Sequence, residues 1–122
     1  MKELRLGMVE GRFADIIWDN APLTSRELVE LCREQLNWKR TTTYTVLKKL
    51  CVRGIFANND SVVTPLLTRE EFHALQSEQF VEHNYNGSLP AFITAFTTRR
   101  VLSEKELEEI KNLLAAYEEE SR

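Results

Sequence analysis

Residues 55–65, IFANNDSVVTP, are the one stretch of this chain that reads as two short strands around a polar turn, placed at residues 58–61. Three helix-length segments come before it. The order helix, helix, helix, hairpin is that of a winged helix-turn-helix, with the hairpin as the wing. The expected fold class is therefore mainly α with a small β-hairpin wing, followed by further helices.

Three capping boxes mark helix starts: Thr24-x-x-Glu27, Thr68-x-x-Glu71 and Ser103-x-x-Glu106. In each, the hydroxyl accepts from an amide of the first turn while the glutamate reaches back to the cap amide. The first helix is predicted over residues 6–18, with Val9, Phe13, Ile16 and Ile17 on one stripe. Pro22 then disfavours helix at Ala21. The second helix is predicted over residues 24–36, burying Leu28, Leu31 and Cys32. The third covers residues 40–53 and stops at Gly54, a residue type favoured just past a helix end.

The third helix lies in NWKRTTTYTVLKKLCVRG, residues 37–54, which has five cationic side chains and no carboxylate in a chain of net charge −3. On a helical wheel at about 100° per residue, Thr43, Val46, Leu47 and Leu50 form the core side, with Cys51 at its edge. Thr41, Thr45, Lys48 and Val52 point the other way. Thr42 and Lys49 flank them on one side and Tyr44 on the other. Short hydroxyls in the first turns can approach base edges as donor or acceptor, and their methyls can touch a thymine methyl. Amide hydrogens at the helix start can hold a phosphate, and lysines further along meet the flanking backbone. A carboxylate on that face would be repelled by phosphate, which gives its absence a cause. The candidate residues for binding double-stranded DNA are Arg40, Thr41, Thr42, Tyr44, Thr45, Lys48 and Lys49.

Charge also divides the chain. Residues 1–69 hold eleven Lys and Arg against eight Asp and Glu, whereas residues 70–122 hold five against eleven. A basic part joined to an acidic part implies two jobs. The expected domains are a winged-helix DNA-binding domain at residues 1–67 and a helical dimerisation region at residues 68–122. No apolar run is long enough to cross a bilayer. The first residues interrupt their apolar positions with charges, unlike a signal peptide, so a cytoplasmic protein without membrane insertion is expected. Cys32 and Cys51, with no Cys-x-x-Cys spacing, read as buried reduced thiols.

The acidic part is helix-periodic. Residues 68–83 offer Phe72, Leu75, Gln79 and Phe80, and Asn86-Gly87 is a turn signal. Leu89, Phe92, Ile93 and Phe96 follow at i, i+3, i+4, i+7, and the helix from Ser103 offers Leu107, Ile110, Leu113, Leu114 and Tyr117. A short helical appendage can hardly bury all of these on itself, and each is worth roughly 1.5–3 kcal/mol when buried. A second copy supplies the cover, since twofold pairing is the commonest oligomer. The candidate dimerisation residues are Phe92, Ile93, Phe96, Leu107, Ile110, Leu113, Leu114 and Tyr117. Folding back onto the first domain is the competing arrangement.

Trp38, Thr42, Thr45, Leu47, Leu50 and Gly54 together resemble the recognition-helix signature of the penicillinase-repressor (BlaI/MecI/CopY) family: a tryptophan, then Thr-x-x-Thr, then Leu-x-x-Leu ending in glycine. FVEHNYNGSLPAFITAF at residues 80–96 and LSEKELEEIKNLL at residues 102–114 resemble its dimerisation region. The resemblance implies a homodimeric transcriptional repressor on a pseudo-palindromic operator. Thr41 and Thr42 would reach bases, with Lys48 and Lys49 nearer the backbone. In the antibiotic-response branch of that family, a membrane sensor-protease pathway inactivates the repressor by cutting the dimerisation region, which makes such a pathway a candidate partner. The family's Asn-Phe cleavage dipeptide is Ala95-Phe96 in this chain. No cysteine follows Cys51, unlike the copper-sensing branch, and the wing has neither lysine nor arginine.

His73 and His83 lie on the order of 15 Å apart along one helix and do not share an ion. Nothing resembles a catalytic triad or a phosphate loop. No enzyme activity, cofactor or metal is expected. The alternative function is a winged-helix protein-interaction module that does not bind DNA.

Overall fold

Helix punctuation and one buried helix edge set the arrangement. The computed structural model describes residues 4–121. In chain order the elements are α1 Met8–Asn20, β1 Leu23–Thr24, α2 Ser25–Leu36, α3 Arg40–Val52, β2 Phe56–Asn59, β3 Val62–Pro65, α4 Arg69–Tyr85, α5 Leu89–Arg99 and α6 Glu104–Glu120. The fold is mainly α, with a winged helix-turn-helix at its start. All three expected capping boxes form. Thr24 and Glu27, Thr68 and Glu71, and Ser103 and Glu106 each exchange hydrogen bonds of 2.9–3.3 Å between side chain and cap or first-turn amide. The backbone bond holds the Glu27 carboxyl below its ordinary range. α1 has only half such a box: Glu10 accepts from the Gly7 amide at 3.2 Å, and glycine has no hydroxyl to reciprocate.

The chain divides into two compact units, one running to Phe80 and the other starting at Val81. The expected junction after residue 67 follows the change in charge, whereas the division by packing comes later. Phe72 is why: it is buried with the first unit's core, beside Trp18 at 5.5 Å. That core contains Phe13 and Ile17 of α1, Leu28 and Cys32 of α2, Leu47 and Leu50 of α3, and Ile55, Phe56 and Val63 around the hairpin. Trp38 stacks on Phe13 at 5.3 Å, and the Trp18 indole N–H donates to the Leu67 carbonyl at 2.9 Å. Both tryptophans are thus packing residues, each half-buried.

Three local expectations need correction. Val9 is 49% exposed and does not join the α1 stripe. The first turn presents Glu10 to α3 instead, where it meets Lys49 at 3.0 Å. The hairpin turn is also shorter than residues 58–61. Asn58 pairs with Val63 and Asn59 with Val62, leaving Asp60 and Ser61 as a two-residue loop. Both have positive φ, 50° and 64°, as a tight hairpin turn that matches strand twist requires. Finally, the wing has a third strand. β1 pairs with β3 through Leu23 with Val63 and Thr24 with Val62, so the antiparallel order is β1-β3-β2. The tip is anchored too, because the Ser25 amide donates to the Ser61 carbonyl at 2.8 Å.

Ser61 is the costly residue of this turn, since left-handed backbone penalises any Cβ. Ser61→Gly is expected to raise the unfolding free energy by up to about 1 kcal/mol, because relief of that penalty outweighs the extra freedom of the unfolded chain. Urea denaturation checks this: the midpoint rises while the slope stays constant. A lower midpoint would show that Ser61 is unstrained.

Candidate nucleic-acid interface

α3 begins after a left-handed Asn37 (φ 55°) that ends α2. Thr43, Leu47 and Leu50 are buried and Val46 half-buried. Even Thr43 is satisfied, its hydroxyl donating to the Lys39 carbonyl at 3.3 Å. Committing this edge to the core turns Arg40, Thr41, Thr42, Thr45 and Lys48 outward, and all are exposed. The Thr45 hydroxyl donates to the Thr41 carbonyl at 2.9 Å, which leaves its oxygen as an acceptor. α3 differs from α2 and α6 in having no side-chain cap and no acidic residue in its first turn. Gly54, at φ 83°, takes the left-handed conformation that ends it.

Two of the candidate residues are not simply outward. Lys49 is 60% exposed but its ammonium lies 3.0 Å from Glu10 of α1. That bond, more than any other effect, holds the Glu10 carboxyl below its ordinary 4.5. Tyr44 is half-buried: its hydroxyl donates to Ser25 at 3.2 Å and the Arg40 guanidinium sits 5.6 Å from its ring. Beside Tyr44 runs a groove of about 550 Å³ between α2, α3 and the wing tip. Arg26, Glu30, Arg33, Arg40 and Ser61 line it with Tyr44. Sequence alone does not single out Arg26 and Arg33. Their i, i+7 spacing puts them on one face of α2, but only the fold brings that face to Arg40 and Ser61.

A family model described as penicillinase repressor matches residues 6–116. The chain belongs to the penicillinase repressor family, whose members are transcriptional repressors. It is similar to the penicillinase repressor of Bacillus licheniformis, 23% identical over 106 residues, covering 84% of this chain and 83% of that protein. It is also similar to the methicillin resistance regulatory protein MecI of Staphylococcus aureus (strain Mu50 / ATCC 700699), 24% identical over 117 residues, covering 93% of this chain and 95% of that protein. MecI of Mammaliicoccus sciuri is 23% identical over the same length.

In this family member the second unit leaves much apolar surface uncovered. Neither α5 nor α6 has a buried residue. Ile93, Phe96, Leu107 and Ile110 are exposed, as are Leu114, Leu113 (70%) and Tyr117 (71%). Phe92 is half-buried, edge-on to Tyr85 at 5.6 Å and 6.2 Å from Phe96. The Ala95-Phe96 bond lies within α5, in helical backbone. Cys32 is buried, its thiol pushed up to about 11 by desolvation, and Cys51 is half-buried and raised for the same reason. His73 packs near Trp18 and Phe72, and among the described residues no three His, Cys, Asp or Glu side chains form a metal-holding group. No helix among the described residues is long and apolar enough to cross a membrane.

The Glu10 carboxyl titrates lower in the folded chain than in the unfolded one. Its contribution to stability is therefore complete above about pH 4.5 and is lost as pH falls through the folded value. Glu10→Gln removes that dependence. Unfolding free energy measured from pH 6 down to about pH 3 is expected to fall less steeply in the variant. Parallel curves would mean that the Lys49 pair contributes nothing.

Proposed function

We propose that this chain is a homodimeric DNA-binding repressor that reads a pseudo-palindromic operator through residues 40–53. The observation that carries the reading is the outward face of α3, where Thr41, Thr42, Thr45 and Lys48 stand exposed without a carboxylate among them. Threonine hydroxyls reach base edges. Lys48 neutralises flanking phosphate, and Lys49 does so in exchange for its Glu10 partner. The uncapped amides at the start of α3 donate to backbone oxygens. The names of the relatives, a repressor and regulatory proteins, agree with this role.

The second copy joins through the apolar faces of α5 and α6. Pairing makes the second half-site encounter intramolecular, which adds a factor of about 10² to 10⁴ in affinity. A signal that separates the copies, including cleavage at Ala95-Phe96 by a sensor-protease pathway, thus releases DNA without altering a single residue that touches it. Such cleavage requires α5 to open locally, because the bond lies in hydrogen-bonded helix.

Selecting bound fragments from genomic DNA tests the reading and supplies the operator. Against that duplex, Thr41→Ala with Thr42→Ala is expected to lose most of its preference over random DNA, about 1–3 kcal/mol for each base no longer read. Retained preference would remove these threonines from the reading face. Phe96→Asp is expected to sediment as a monomer at concentrations where the parent is a dimer. A variant that stays dimeric would exclude this face from the interface.

A further inference from the structure

We infer that the groove between α2, α3 and the wing tip seats a backbone phosphate of the DNA duplex, a role that a wing without basic residues does not fill. The inference rests on the DNA-binding reading above. Three arginines from two helices converge there, Arg26 and Arg33 from α2 and Arg40 from α3. Among the described residues Glu30 is the one carboxylate lining the groove, and it is engaged by Arg33 at 3.3 Å. Arg33 and Glu30 both remain more than half exposed, at 59% and 56%, so the arginine can redirect its planar fork to phosphate. The Tyr44 hydroxyl, bonded to Ser25, adds a polar wall.

The wing explains why such a seat is needed. Residues 55–65 contain no Lys or Arg and one acidic residue, Asp60 at the tip. The Ser25–Ser61 backbone bond holds that tip against the start of α2, so the wing has little reach beyond the groove. Duplex DNA is favoured as the occupant over a free anion because Arg40 belongs both to the groove and to the exposed face of α3. A backbone strand beside the major groove occupied by α3 runs directly past it.

The test measures binding of random-sequence and selected duplexes by the full chain between 50 and 200 mM salt. Arg26→Gln and Arg33→Gln are each expected to weaken both duplexes by the same factor. Removing one of the three cations that share the phosphate lowers the salt slope by up to about 0.9, so the parent's affinity falls by up to about 3.5-fold more than the variant's over this range. Arg26→Lys keeps the parental slope, and Glu30→Gln strengthens both duplexes. The seat is overturned if the glutamine variants keep parental affinity and slope while the parent binds duplex steeply, a result that leaves the DNA-binding reading intact. Weakening confined to the selected duplex also overturns it, since that is base reading. A parent without salt-dependent duplex binding overturns both.

Discussion

A helix that buries one edge must show the other, and α3 buries Thr43, Leu47 and Leu50. The rest of the first unit follows from that commitment. Phe13 and Ile17 of α1, Leu28 of α2 and Phe56 of the hairpin form the core with that edge, and Trp38 stacks on Phe13 to close the start of the helix. Cys32 belongs to the same core and behaves as a small hydrophobe, because desolvation suppresses its thiolate. What remains outward is a row of threonines and a lysine whose chemistry suits a polyanion.

The two flanks of that row are unlike. On one, Glu10 draws Lys49 toward α1, and the same carboxylate accepts from the Gly7 amide. A pair of this kind, with Lys49 exposed and Glu10 half-buried, contributes on the order of 1 kcal/mol or less to stability. Its larger effect is on position, because it sets where one cation of the face rests before any ligand arrives. On the other flank arginines of two helices face a groove closed at one end by the wing tip, and among the described residues only Arg33 of them is paired with a carboxylate, Glu30 at 3.3 Å. Positive charge thus lies on both sides of the outward face of α3, with one cation on each side held by a glutamate.

Local chemistry was legible in the sequence, and pairing at a distance was not. The capping boxes at Thr24, Thr68 and Ser103 involve residues three apart, so their spacing alone announced them. The wheel placed Thr43, Leu47 and Leu50 inward because period decides burial once a helix exists. By contrast, β1 has two residues and no period, and only its pairing with Val62 and Val63 makes it a strand. Val9 and Glu10 compete for the same turn, and a lysine nearly forty residues away decides between them. The arginine groove combines both cases, since the spacing on α2 was visible while its neighbours on α3 and the wing were not.

The wing is fastened at its tip as well as its base, by the Ser25–Ser61 bond and the short strand laid along β3. A ribbon tied at both ends serves as a side wall instead of a swinging arm. Lengthening or shortening the loop between β2 and β3 would therefore retune the width of the slot beside α2, while the threonine row kept its orientation. On the proposed DNA-binding role, how much of a duplex edge is admitted and which bases are read can change independently.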